Sequence, residues 1–273
     1  MFYYDNNFWR SALLEERDVG HAFSTRLGGV STLPHTSSMN VGFGRGDSDD
    51  VVRENIRILC AAAGLSYEGL VGSAQYHTTH VRYVTEENAG EGIVRDNHSP
   101  SDAFVTDRPG VSAIVRTADC TPILLCGRKD DRAPVVGAAH AGWKGTVHLI
   151  AENLVAAALS LGAEKSSLKT AIGPCIGECH FEVKEDFIEA VRDARGNDFA
   201  EKYIIRRDGR YFADMVSMNF DILVAAGVPA DRIDVCGACT ACDPNKYHSH
   251  RATGGVRGTM GSVIGIKRQP PDD

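Results

Sequence analysis

Six short runs in this chain are apolar for most of their length: "DAFVT" (102–106), "VSAIVRT" (111–117), "APVVGAAH" (133–140), "LKTAIG" (168–173), "IDVCG" (233–237) and "GSVIGIK" (261–267). A strand with one wet face alternates apolar and polar residues. Several of these runs do not alternate, which suits strands covered on both faces. Three other stretches carry a helical period. "DDVVRENIRILCAAAGL" opens on aspartate caps, puts Val52, Ile56 and Leu59 on one face and stops near Gly64. "TVHLIAENLVAAALSLG" opens at Thr146 and ends at Gly162, and "DMVSMNFDILVAAGV" opens at Asp214 and ends at Gly227. Helices and strands alternate irregularly, so the expected class is α/β with mixed β-sheets and flanking helices. No repeat and no Pro/Gly linker divides the chain, and a single domain is expected over 1–273, with "KRQPPDD" as a frayed tail.

The balance of residue types excludes some functions. A net charge of −7 leaves no general basic face for nucleic acid, although a local Arg/Lys cluster could still hold a small anion. The start, "MFYYDNNFWRSALLEERDVG", has no basic segment followed by an unbroken apolar run, so it does not read as a signal peptide. No stretch is long and apolar enough for a membrane span. Eight cysteines among 273 residues read as thiols and perhaps a metal rather than a disulfide framework, and a cytoplasmic location is expected.

The buried runs end in chemistry. "AAHAGWKGT" carries His140 to a strand end and then turns on Gly142 and Gly145 into a helix. "VSAIVRTADCTPILLC" is another buried strand that ends in Arg116, Asp119 and Cys120, and "SAQYHTTHV" places His77 just before a further strand. Strand ends in α/β folds are where side chains converge on ligands. His77, Cys120 and His140 are competent zinc ligands, and three protein ligands leave a fourth position open, as a catalytic zinc requires. They lie 43 and 20 residues apart, so no local metal motif supports the set, and a packed, hydrogen-bonded histidine remains the alternative for each.

Two cysteine-rich stretches need separate readings. "VCGACTACDP" spaces Cys236, Cys239 and Cys242 like part of a ferredoxin run, but the fourth cysteine is missing, and small buried thiols at a strand end are the simpler reading. "IGPCIGECHFEV" brings Cys175, Cys179 and His180 onto a Gly/Pro-constrained loop, read as lining a site, with plain packing as the alternative. Cations beside glycines offer an anion site. They are Arg26 in "FSTRLGGVS", Asn40 with Arg45 in "MNVGFGRGD", Lys144, and His248, His250, Arg251 and Arg257 in "YHSHRATGGVRG".

Taken together, "STRLGGVS", "MNVGFGRGD", "QYHTTHV", "RTADCTPILL", "AAHAGWKGT", "IGPCIGECHFEV" and "CTACDPNKYHSHR" resemble the YfiH-like family, also called the laccase-domain or polyphenol-oxidase-like family. The match runs in order from about Ser24 to Arg251. The resemblance implies a single α/β domain similar to the catalytic domain of a cytotoxic necrotizing factor. It also implies a zinc on His77, Cys120 and His140. The implied activities are phosphorolysis of purine nucleosides (adenosine, inosine, methylthioadenosine) and deamination of adenosine. The partners are then small molecules, a nucleoside and phosphate. The usual "QVH" reads "QYH" here, and the aromatic-rich stretch before Arg251 reads "YHSHR", departures that bear on substrate preference rather than on metal.

Zinc deaminases of nucleobases carry their proton-shuttling Glu in an HxE motif. Neither His77 nor His140 is followed by one, which leaves Asp119 as the candidate shuttle or, equally, as a turn-shaping residue. The candidate substrate contacts are Arg26, Asn40, Arg45, Lys144, Cys175, His250 and Arg251. Three other readings stand beside this one. A copper-dependent polyphenol oxidase needs clustered histidines, and this chain has ten in all and one HxH pair, though copper could occupy the same His/Cys/His site. A cysteine hydrolase or amidase acting on peptidoglycan-type substrates would use Cys120 as nucleophile and His140 as base. A zinc-stabilised binding protein would need no turnover at all.

Overall fold

A computed structural model describes residues 1–96 and 99–268, so residues 269–273 of the tail expected to fray lie outside the described residues. Its strands are β1 (Phe2–Asp5), β2 (Phe8–Ser11), β3 (Val19–Ser24), β4 (Leu70–Val71), β5 (Val81–Tyr83), β6 (Ala103–Thr106), β7 (Ser112–Thr117), β8 (Thr121–Arg128), β9 (Pro134–Ala141), β10 (Lys169–Ile172), β11 (Glu182–Val183), β12 (Ile204–Arg207), β13 (Arg210–Ala213), β14 (Ile233–Val235) and β15 (Met260–Ile266). The helices are α1 (Asp49–Ala63), α2 (Trp143–Val147), α3 (Ile150–Ser160), α4 (Glu185–Arg195), α5 (Asn197–Tyr203), α6 (Met215–Ala226) and α7 (His250–Thr253).

The period of 2 along a strand explains why the core runs are apolar on both sides. In β8, Ile123 and Leu125 point to a cluster under α3 and α6, while Leu124 and Cys126 point the other way into a second cluster. That second cluster also takes Ala113 and Val115 of β7 and Ile264 of β15. The remaining faces of β7 and β15, through Ile114 and Val263, pack on Val52, Ile56 and Leu59 of α1. Two six-stranded sheets, ordered β1-β2-β3-β15-β7-β4 and β14-β10-β8-β9-β6-β5, therefore stack face to face with helices outside both. Each fully buried Leu, Ile or Val in such a stack contributes about 1.5–3 kcal/mol. Most pairings are antiparallel, but β4/β7, β5/β6 and β10/β14 are parallel, so the sheets are mixed. A small sheet, β11-β13-β12, closes with α4 and α5 around Phe187, Ile188 and Tyr203.

Every apolar run named above forms a strand in one of the two large sheets. The local endings differ in three places. Ser48, not an aspartate, caps α1 by accepting from Val51 N–H, and Asp49 and Asp50 sit in its first turn. The helix expected from Thr146 to Gly162 starts earlier, at Trp143, and breaks at Leu149, whose φ of 71° lies in the left-handed region. The stretch expected as one buried strand, "VSAIVRTADCTPILLC", crosses between sheets: β7 belongs to one and β8 to the other, with Asp119 and Cys120 in the turn between. Among the described residues no helix is long and apolar enough to cross a membrane.

Candidate metal centre and active-site cavity

The antiparallel pairing of β8 with β9 sets Thr121 opposite Ala141 and Pro122 opposite His140. Cys120, one residue before β8, therefore comes beside His140 although 20 residues separate them. His77 arrives from the loop between β4 and β5. Its ring stands edge-on to that of His140, with centroids 4.9 Å apart. One donor atom from each of His77, Cys120 and His140 lies within 4.8 Å of the other two.

A residue absent from the sequence reading organises this convergence. Asp102, fully buried just before β6, accepts the backbone N–H groups of Tyr76, His77 and Thr78 at 3.2, 3.0 and 2.8 Å, and the Thr78 hydroxyl at 2.8 Å. Those bonds hold His77 at φ 61°, a left-handed conformation that costs a non-glycine residue roughly 1–2 kcal/mol. The same carboxylate lies 2.8 Å from Nδ1 of His140. Its only sequence signal was an acid opening an apolar run, "DAFVT". Gly142 completes the packing, because a Cβ there would stand 2.2 Å from His77 Nδ1.

Charge follows the geometry. Burial opposes ionisation of Asp102, yet the bonds from His140 and from Thr78 hold its carboxyl down at about 2. Burial likewise opposes protonation of His140, but Cys120 and Asp102 together push its imidazole up to about 9. His77 is pushed down, by burial first and then by His140, and its Nδ1 is buried without a hydrogen-bond partner among the described residues. Two imidazoles and a thiol facing one point, one ring oriented by a carboxylate, form a donor set suited to a tetrahedral cation with an open position.

The set opens into a cavity of about 630 Å³. Its walls carry Arg45, Arg53, Arg95, Arg116 and Arg257 against Asp49 and Asp96, a local excess of positive charge on a chain of net −7. Four of these arginines are engaged, Arg257 through one guanidinium nitrogen that donates to the Gly258 carbonyl and the Thr259 hydroxyl, each at 3.1 Å. Arg53 pairs with Asp49 and Asp50, Arg95 pairs with Glu91, and the half-buried Arg116 donates to the carbonyls of Val41, Ser73 and Gly92. Arg45 makes no ion pair among the described residues. It depresses its neighbour Arg257, which burial already depresses, and the Arg257 Nε is buried without a partner among the described residues. Phe43 adds an aromatic wall, with the Arg53 and Arg116 guanidinium groups 5.6 and 5.4 Å from its centroid.

Several expected contacts lie elsewhere. Arg26 does not line the cavity: its guanidinium donates to the carbonyls of Ser37, Pro244 and Pro34 and braces two loops. Asn40 is fully buried and bonds Gly42, Asp47 and Thr259. Lys144 is exposed over the Trp143 ring, and its field reaches His77. Cys175 is buried, and burial pushes its thiol up to about 12. His250 is exposed at the start of α7. Arg251 donates through its guanidinium to the carbonyls of His180 and Glu182. Asp119 also stays out of the cavity walls, since Thr240 donates to one carboxylate oxygen at 2.6 Å and the Arg251 backbone to the other at 2.8 Å. Of the substrate contacts expected, Arg45 is the one that lines the cavity.

The cysteines near the C-terminus are not simply packed. Cys242 is exposed and Cys239 half-buried, and both meet Cys179 and His180, while Cys236 lies apart from that group.

Comparison with known proteins agrees with this architecture. The family described as multi-copper polyphenol oxidoreductase laccase matches residues 20–267. A purine nucleoside phosphorylase of Deinococcus radiodurans is 36% identical over 252 residues, 92% of this chain and 90% of that protein. The adenosine deaminase RL5, from an unknown prokaryotic organism, is 33% identical over 85% of this chain and 88% of its own. The crystal structure of YlmD from Geobacillus stearothermophilus superposes with a TM-score of 0.84 at 29% identity, covering 98% of this chain and 99% of that one. The chain therefore belongs to the laccase-domain family, whose relatives include proteins named purine nucleoside phosphorylase and adenosine deaminase.

Proposed function

We propose that this protein is a zinc-dependent purine nucleoside phosphorylase that also deaminates adenosine, with His77, Cys120 and His140 as the metal ligands and Arg45 and Arg257 as the phosphate seat. The observation that carries it is the opening of the His/Cys/His set into a cavity where Arg45 and Arg257 stand close together and neither forms an ion pair among the described residues. A dianion there would receive charge-assisted bonds and remove the repulsion between the two guanidinium groups. Phe43 provides the flat apolar surface against which a purine can stack.

Bound in this set, zinc supplies Lewis-acid polarisation and lowers the pKa of water. The protein's own part is orientation. Asp102 keeps the proton of His140 on Nδ1, which leaves Nε2 as the donor atom, and it holds the His77 loop through three N–H groups. Copper would fit the same donors, as imidazole and thiolate suit both metals.

A second reading has its own support: without metal, Cys120, His140 and Asp102 line up as nucleophile, base and orienting acid, the arrangement of a cysteine hydrolase. One experiment separates the two. Zinc-loaded protein is incubated with adenosine, inosine and methylthioadenosine, with and without phosphate, and the products are resolved by chromatography. Ribose 1-phosphates with free base, formed only with phosphate, and inosine formed from adenosine in either case are the expected outcome. No turnover of any nucleoside by the loaded protein would sink the proposal.

A further inference from the structure

The segment after β10 and the segment after β14 meet outside the set of residues that line the cavity. Cys175 and Cys239 form an isolated parallel bridge, with Thr240 N–H donating to the Cys175 carbonyl at 3.0 Å. Just beyond, four donor side chains converge. Cys179 Sγ and Cys242 Sγ are 3.6 Å apart, and His180 Nδ1 lies 3.3, 3.8 and 3.4 Å from the sulfurs of Cys179, Cys239 and Cys242. All four donor atoms fall within 4.8 Å of one another.

We propose that Cys179, His180, Cys239 and Cys242 form a second metal site, closed and structural, that holds one zinc ion. Zinc–sulfur bonds of about 2.3 Å and zinc–nitrogen bonds of about 2.0–2.1 Å give tetrahedral edges of roughly 3.5–3.8 Å, close to the observed separations. Three thiolates and an imidazole are the donors of a Cys₃His structural site, and soft thiolates favour zinc over hard cations. Cys239 and Cys242 are a CxxC pair on one tight turn, and the Gly177 backbone N–H donates to the Cys239 sulfur at 3.2 Å. Such N–H···S bonds stabilise a thiolate ligand. The site is compact enough for a single ion rather than an iron–sulfur cluster, and the third cysteine of the CxxCxxC run, Cys236, is outside it.

The consequence reaches the first site through Asp119. Thr240, between the two CxxC cysteines, donates to one Asp119 oxygen, and the Arg251 backbone donates to the other. The Arg251 side chain donates to the His180 carbonyl, and Ile176 N–H donates to the Asp119 carbonyl. A metal tying His180 to the CxxC turn therefore locks the frame around the residue next to Cys120. Its role is to position, and it has no open coordination place for substrate.

The test is metal content of the full chain purified anaerobically from zinc-supplemented cells. Wild type should carry about two zinc ions, Cys120→Ser about one, Cys239→Ser about one, and the double variant none. In native Cys120→Ser protein, Cys179 and Cys242 should resist alkylation until a chelator is added, a readout that does not depend on a second-site variant folding. A Cys120→Ser chain without zinc whose Cys179, Cys239 and Cys242 alkylate freely would overturn the proposal. So would a Cys179–Cys242 disulfide in that preparation, or iron with labile sulfide in place of zinc. Because Cys120→Ser empties the first site, failure here is distinct from failure of the nucleoside chemistry.

Discussion

Asp102 Oδ1 lies 2.8 Å from His140 Nδ1, and the same oxygen accepts the backbone N–H of His77 at 3.0 Å. One buried carboxylate thus orients one histidine through its ring and the other through its main chain. Asp102→Asn keeps the shape but supplies an amide where a charged acceptor was. It should weaken zinc binding at the first site about 10–100-fold, the usual cost of losing a partner behind a metal ligand. Competition with a chromophoric chelator measures this, and unchanged affinity would show that Asp102 only shapes the loop.

Gly142 tests the same site sterically. Its φ of −65° and ψ of 164° suit alanine, so the backbone gives no reason for glycine. The added methyl would overlap His77 Nδ1. Gly142→Ala should therefore keep a near-native thermal midpoint while losing zinc from the first site and most turnover. A fully active Gly142→Ala enzyme would mean that His77 can move without loss.

The arginines separate anion binding from bracing. Removing one charge-assisted bond costs about 1.5–3 kcal/mol, roughly ten- to hundredfold. Arg45→Ala and Arg257→Ala should each raise KM for phosphate by that order in phosphorolysis, with little change in phosphate-independent deamination. Arg26→Ala should instead lower stability, because three loop carbonyls lose their donor, and leave KM for phosphate nearly unchanged. Equal loss of both activities in the Arg45 and Arg257 variants would place these residues on the nucleoside instead.

Acid stability should depend on His21. It is buried in β3 with Nε2 accepting from Ser11 N–H at 3.0 Å, and burial pushes it down to about 4. The unfolded chain, with an imidazole near 6.5, binds the proton first. The stabilisation is thus complete above pH 6.5 and is lost as pH falls toward 4, up to about 3 kcal/mol. His248, held at about 3 by burial and by Arg26 and Arg257, adds to the same slope. Denaturant midpoints between pH 4 and 8 should fall less steeply for His21→Gln than for wild type. Parallel curves would assign the acid sensitivity elsewhere.

Much of the fold is legible in the amino-acid sequence. The unbroken apolar runs announced strands with two dry faces, and β8 realises this residue by residue, from Ile123 to Cys126. The C-terminal stop of α1 was readable in Gly64, which is left-handed. The turn at Asp119 was harder to see, because "VSAIVRTADCTPILLC" stays apolar on both sides of a change of sheet. The sequence signal for α4 is the helical spacing of Phe187, Ile188 and Val191 alone, in a stretch otherwise dominated by charge.

The site divides along the same line. His77, Cys120 and His140 could be named from their positions at the ends of apolar runs and from the family resemblance. What Asp102 does, whether Arg26 or Arg45 faces the cavity, and that Cys179 and His180 meet Cys239 and Cys242 were decided only in three dimensions. The reason is the range of the information. Periodicity and capping are set by neighbours a few residues apart, so the chain alone determines which segments are strands or helices and which faces are buried. Convergence of side chains 20 to 63 residues apart depends on sheet order, register and the crossing from one sheet to the other, and those follow from how the two apolar faces pack together.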